Sequence, residues 1–170
     1  MLIINKPYGV PVQGGTKVSF CIDDGLRYLG SKNTTGILII AKSKATATSI
    51  TKLFKENKIK KIYWTIVKGK PKKQKDSIKK SILKKKKHGF EKMEIVKDLE
   101  ENAITTYKSI DSKRGMSLLE VYPKTGRTHQ IRVHLLSEKL PILGDKKYFV
   151  EADLPEHFYQ TLKFYNLNLI

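Results

Sequence analysis

The 170-residue chain is poor in cysteine and in acidic residues: Cys21 stands alone, and 16 Asp and Glu face 34 Lys and Arg. A single cysteine excludes an intramolecular disulfide framework and a cysteine-based metal site. No apolar run approaches the roughly 18 residues of a membrane span; the longest is Gly36-Ile37-Leu38-Ile39-Ile40-Ala41. The opening Met1-Leu2-Ile3-Ile4-Asn5-Lys6-Pro7 meets a Lys-Pro turn too soon for a secretory leader. Arginine is scarce as well, with Arg27, Arg114, Arg127 and Arg132 set against thirty lysines. These absences lead us to expect a non-membrane protein of the bacterial-type cytoplasm, with an organellar matrix as the alternative.

What is present is charge and enough apolar surface for a core. Hydrophobic residues make up 39% of the chain, too many for a disordered basic tail. The formal charge of +18 points to a polyanion, most commonly nucleic acid. A lysine-rich composition explains part of that excess. The distribution is more informative: twelve lysines lie between Lys68 and Lys92, against Asp76 and Glu91. Phosphates would reward such a block through counterion release. A solvated linker fits the run Lys84-Lys85-Lys86-Lys87 equally well.

Local patterns place the elements. Leu2-Ile3-Ile4 reads as a short strand, and Ile37 to Ala41 as a strand buried on both faces. Ser43 can cap a helix to Asn57 whose apolar face is Ala47, Ile50, Leu53 and Phe54. A short helix is predicted from Cys21 to Leu29, opening near Asp23 and Asp24. Lys61 to Val67 is rich in β-branched and aromatic residues and reads as a strand, with Trp64 packing on the face opposite Tyr63. Ala103 to Ile110 and Met116 to Tyr122 are predicted to pair through the stretch from Asp111 to Gly115. Thr128 can cap a helix from His129 to Ser137 with Ile131 and Leu135 inward, and a last helix carries Phe158, Leu162 and Tyr165. The expected fold class is α+β with a mixed, largely antiparallel sheet.

The sharpest cluster is Gly126-Arg127-Thr128-His129-Gln130-Ile131-Arg132-Val133-His134, followed by Pro141-Ile142-Leu143-Gly144-Asp145. Backbone N–H groups at a helix start favour an anion beside Arg127 and His129. Alternatively, Arg132 pairs with a buried carboxylate and the histidines satisfy backbone groups. The cluster resembles the signature of the RluA-type pseudouridine synthases. Asn5-Lys6-Pro7-Tyr8-Gly9, Thr34-Thr35-Gly36-Ile37-Leu38-Ile39-Ile40-Ala41-Lys42 and Lys61-Ile62-Tyr63-Trp64-Thr65-Ile66-Val67-Lys68-Gly69 are similar to three further motifs of that family, in the same order.

The resemblance implies a pseudouridine synthase catalytic-domain fold with flanking helices and a central RNA cleft. It implies isomerisation of uridine in RNA to pseudouridine, with no cofactor and no metal. Tyr63 matches the active-site tyrosine that stacks on uracil and helps remove the C5 proton. Arg132 matches the basic residue that pairs with the catalytic aspartate. Lys6, Arg127, His129 and Gln130 fall in motifs that shape the site and meet the RNA backbone. Lys84, Lys85, Lys86 and Lys87 are the expected RNA contacts of a lysine-rich insertion at about 68–92. We expect one abbreviated domain over 1–170, with no RNA-binding domain ahead of Lys6. The expected partner is ribosomal RNA ahead of transfer RNA, with no membrane and no obligate protein partner.

One motif departs. The family's His-Arg-Leu-Asp precedes its Thr-Ser/Thr-Gly segment, but this chain has Tyr28-Leu29-Gly30-Ser31-Lys32-Asn33 before Thr34. Ungapped alignment puts Ser31 at the nucleophile position, and a shift of one puts Gly30 there. Asp23 and Asp24 are the upstream acids that could substitute. A silent relative that binds RNA without turnover is the alternative reading.

Overall fold

A computed structural model describes residues 1–6, 34–87, 90–97 and 99–149, with 87 and 90 as backbone only. The expected Lys-Pro turn beyond Lys6, the helix from Cys21 to Leu29, the helix carrying Phe158, and Gly30 and Ser31 all lie outside the described residues. Contacts divide the described chain into two compact units, one up to Lys58 and one from Ile59 onward.

In the first unit, β1 (Leu2–Lys6) and β2 (Gly36–Ile40) form an antiparallel two-stranded sheet, with Leu2 opposite Ile40 and Lys6 opposite Gly36. The apolar run is not buried on both faces as expected. Leu38 is buried, while Ile37 is 82% exposed, because side chains alternate across a strand and only one face is covered. Helix α1 (Lys44–Lys55) begins as predicted, the Ser43 hydroxyl accepting the Thr46 N–H at 3.2 Å. None of its residues is buried.

The second unit is a five-stranded antiparallel sheet. Its strands are β3 (Tyr63–Lys68), β4 (Lys75–Lys87), β5 (Phe90–Val96), β6 (Ala103–Lys113) and β7 (Met116–Pro123), in the spatial order β3-β7-β6-β4-β5. The β6–β7 hairpin is the predicted pair, but its connection is tighter. Arg114 and Gly115 both have positive φ (51° and 74°), the two-residue turn whose twist suits a hairpin. The residues assigned to the loop extend β6 instead, with a bulge between Ser109 and Asp111.

The lysine block is not a linker. Lys75 to Lys80 pair with β6 and Ser81 to Lys87 with β5, so the block is one long strand that changes partner midway. Asn102 makes that change possible. Its side-chain amide accepts the Ile82 N–H at 3.0 Å and donates to the Ile82 carbonyl at 3.1 Å, standing in for β6 backbone where β6 ends. Ile78 and Ile82 anchor the strand in the core while its lysines face water.

Helix α2 (Gln130–Ser137) covers one sheet face. Its inward residues are Gln130, Val133, His134 and Leu135; Ile131, expected inside, is half-buried. Thr128 does not cap it. His129 occupies the cap position in left-handed backbone (φ 53°), and Gln130 closes the first turn by accepting the Arg127 N–H at 3.0 Å. Thr105 on β6 is the node beneath the helix: its Oγ1 accepts from Gln130 Nε2 at 2.9 Å and lies 2.9 Å from His134 Nδ1. No described helix of this unit covers the other sheet face. Trp64, read as a packing residue, is 57% exposed there, its Nε1 donating to Glu120 at 3.2 Å.

The node gives a prediction. Thr105→Val keeps the shape but strands a Gln130 N–H and the His134 Nδ1 in the core, which costs about 1–3 kcal/mol. Urea melts should show the lower midpoint at unchanged slope; an unchanged midpoint would rule out the hydroxyl as the node.

Candidate active site

Tyr63 opens β3 opposite Val121 and shares its sheet face with buried Thr65 and Val67. This is the face α2 covers. Burial pushes the Tyr63 hydroxyl above its ordinary value, so it is protonated at neutral pH. No hydrogen-bond partner for it is found among the described residues. Two residues earlier, Lys61 Nζ donates to the Thr125 carbonyl at 3.4 Å, which sets the start of β3 beside the Gly126-Arg127 turn. Burial lowers the Lys61 ammonium pKa.

Arg132 is committed. Its Nε donates to Asp145 Oδ2 at 2.8 Å and its Nη2 to Asp145 Oδ1, a bidentate pair that is largely buried on both sides. Asp145 also accepts the Lys147 and Tyr148 N–H groups at 3.1 and 3.2 Å. The arginine expected to face a catalytic aspartate is therefore satisfied by a carboxylate thirteen positions downstream. This is the alternative raised for Arg132, pairing with a buried carboxylate, and Asp145 at the end of the Pro141 to Asp145 motif supplies it, just after Gly144 in left-handed backbone (φ 77°).

The other motif residues divide by direction. Gln130 is buried and uses all its capacity: Oε1 accepts from Thr125 Oγ1 and Arg127 N, and Nε2 donates to Ile104 O and Thr105 Oγ1. It is a brace rather than the expected RNA contact. Arg127 is exposed, its Nε held by the Asn102 carbonyl at 3.2 Å. The half-buried His129 ring has Nδ1 at 2.8 Å from the Tyr148 hydroxyl. Burial first, then Arg132 and Lys147, hold its pKa down at about 4. Burial and Lys80 bring fully buried His134 to about 4 as well.

Of the lysine candidates, Lys84 pairs with Glu91 at 2.5 Å and Lys85 with Glu94 at 3.5 Å, both exposed and across the β4–β5 hairpin. Exposed pairs of this kind contribute about 0–1 kcal/mol, so a phosphate can exchange for either carboxylate. Lys86 is exposed on the same strand, and the Lys87 side chain lies outside the described residues. Lys6 is buried at the end of β1 in the first unit, and burial lowers its pKa. No described helix is long and apolar enough to cross a membrane.

Comparison with known proteins identifies the class. The family model of RNA pseudouridylate synthase matches residues 31–137, a stretch that contains Tyr63 and the whole Gly126 to His134 cluster. The chain belongs to this family. It is 35% identical over 182 aligned residues to the ribosomal large subunit pseudouridine synthase C of Rickettsia typhi, covering 99% of this chain and 60% of that protein. It is 37% identical over 161 residues to the enzyme of the same name from Buchnera aphidicola, covering 87% of this chain and 51% of that one. The solved structure of human RNA pseudouridylate synthase domain containing 4 superposes with a TM-score of 0.72 at 29% identity, covering 98% of this chain and 73% of that one. The fold is therefore that of a pseudouridine synthase domain, and the chain spans about 60% of the length of the Rickettsia relative.

Two predictions follow the site's chemistry. Asp145→Asn removes the charge that Arg132 is buried against, and an uncompensated buried guanidinium costs roughly 3–5 kcal/mol. Thermal melts should show a correspondingly large loss, and a melting temperature within a degree of native would contradict the pairing. Separately, both histidines have folded pKa values of about 4 against an ordinary 6.5. The unfolded chain binds the extra protons first, so stability is full above pH 6.5 and falls as pH drops toward 4. Urea midpoints at pH 7.0 and 4.5 test this, and the loss should shrink in His134→Leu relative to that variant's own value at pH 7.0.

Proposed function

We propose that the chain is an RNA pseudouridine synthase acting on structured RNA, most specifically large-subunit ribosomal RNA. The observation that carries the reading is the joint placement of Tyr63 and the Arg127 to Arg132 motif in one rigidly braced unit, within the stretch matched by the family. The name of the Rickettsia relative supports ribosomal RNA ahead of transfer RNA. A cytoplasmic setting fits the bacterial relatives, and an organellar matrix fits the mitochondrial pseudouridylate synthase of Bos taurus, 32% identical over 184 residues.

In this reaction the C1′–N1 glycosidic bond breaks, the uracil turns while bound, a C5–C1′ bond forms, the C5 proton passes to solvent and N1 takes up a proton, so the product is an isomer of the substrate. The base must first leave its stack, at a cost of a few kcal/mol that RNA contacts offset. Arg127 and the β4–β5 lysines supply cations for the phosphates. Tyr63 supplies an aromatic ring and a hydroxyl with no partner among the described residues, a side chain suited to stacking on the displaced base. Asp145 cannot serve as nucleophile: it is buried, and its oxygens are taken by Arg132 and two backbone donors. Asp23 and Asp24, the acids that could substitute as nucleophile, lie outside the described residues.

Tritium release from RNA labelled at uridine C5 tests the proposal. The chain should release tritium from bulk ribosomal RNA. Tyr63→Phe should cut release at least 100-fold with RNA affinity within about threefold, because its hydroxyl has no described structural partner. Arg132→Ala is the weaker probe, since it also strands Asp145. Tight RNA binding with no release by the native chain would overturn the enzyme reading in favour of an RNA-binding protein on the same fold.

A further inference from the structure

Tyr148 joins three parts of the second unit that sequence order keeps apart. Its ring has the Arg132 guanidinium 4.7 Å and the Lys92 ammonium 5.4 Å from its centroid. Its hydroxyl accepts the Met93 N–H of β5 at 3.1 Å and lies 2.8 Å from His129 Nδ1. The His129 ring meets the Tyr148 ring edge-on, with centroids 5.5 Å apart. One residue thus touches the lysine-bearing hairpin, the committed arginine and the motif histidine.

The hydrogen-bond arithmetic fixes a proton. A phenol has one O–H to donate and lone pairs to accept with. Met93 N–H occupies an acceptor position. The hydroxyl proton has one acceptor within reach among the described residues, His129 Nδ1, which accepts only when it bears no proton. In the opposite tautomer Nδ1–H would donate to the phenol oxygen, and the phenol proton would turn from His129 to solvent. His129 is neutral at physiological pH, so it carries one ring proton, and an Nδ1 that accepts from the Tyr148 hydroxyl leaves that proton to Nε2. His129 itself lies in left-handed backbone (φ 53°), with its ring against Tyr148.

We propose that Tyr148 is a positioning residue that fixes the His129 proton on Nε2 and so makes that nitrogen a hydrogen-bond donor to RNA. The ligand group is an RNA acceptor oxygen, a phosphate or a base carbonyl. This rests on the proposed RNA reading for its ligand, but the tether itself does not. Tyr148→Phe keeps the ring and its two cations and removes only the hydroxyl.

The test has two arms. Long-range proton–nitrogen NMR of the native protein at pH 7 should show His129 as a single Nε2–H tautomer, and Tyr148→Phe should show a mixture of both. A native Nδ1–H tautomer, or an unchanged pure Nε2–H form in Tyr148→Phe, overturns the tether. The native measurement decides even if the variant fails to fold. The second arm measures affinity for bulk large-subunit ribosomal RNA. Tyr148→Phe should weaken binding about tenfold in the native background and less than twofold in His129→Asn, which tolerates the left-handed backbone but cannot reach the phenol. Equal losses in both backgrounds overturn the RNA contact. No binding by the native chain would instead refute the RNA reading, with the tautomer still deciding the tether.

Discussion

The bidentate Arg132–Asp145 pair is the constraint around which the second unit closes. Arg132 lies on α2, and Asp145 ends a segment that seals the outer edge of the sheet. In that segment Pro141 O accepts the Lys68 N–H at 2.9 Å and Leu143 N donates to Ile66 O at 3.0 Å, so β3 is hydrogen-bonded on both sides. Among the described residues this is the ion pair that ties the segment to the helix, and the segment in turn covers the edge of β3. The desolvation of both ions is offset by two short charge-assisted bonds and two backbone donors to the carboxylate, the condition under which a buried pair is tolerated. The same pair sets the cation under which Tyr148 sits. Fold and site therefore share one interaction.

The lysines gain meaning from the strand that carries them. A run of like charges repels itself and favours solvation, yet Lys75–Lys87 is a continuous strand. Three local features permit this. Ile78 and Ile82 supply buried anchors, Glu91 and Glu94 sit diagonally across from Lys84 and Lys85, and Lys80 reaches Ser137 and Glu138 at the end of α2, where a cation is favoured. The positive charge is thereby displayed on a stiff ribbon rather than a floppy tail, and a phosphate meeting it loses less ordering entropy.

Composition and capping signals made much of this legible in advance. The β-branched and aromatic run around Tyr63 made β3 readable as a strand, and Ser43 announced α1. The misses came from partners distant in sequence. Asn102, which replaces a strand, looks like any loop asparagine. Thr128 is a plausible cap, and only the Gln130 contacts to Thr105 and Thr125 show why the helix starts without it. Asp145 is thirteen residues from its arginine, a spacing that no helix or hairpin period predicts. The exposure of Trp64 was unreadable for the same reason, because alternation names two faces of a sheet but not which one a helix will cover.

Polar residues packed into one short motif invite a reading in which all of them face a substrate. The geometry assigns most of them inward. Gln130 spends four hydrogen bonds on the fold, His134 is sealed over Thr105, and Arg132 is closed on Asp145. This is what a reactive site on a small sheet requires: a buried polar group is costly unless satisfied, and a fully satisfied network rigidifies what it touches. The exposed Arg127, the half-buried His129 ring and the start of β3 at Tyr63 are each tied to that inward network. Their placement is obtained from many inward bonds, so variants at the inward residues should be read by stability before they are read by activity.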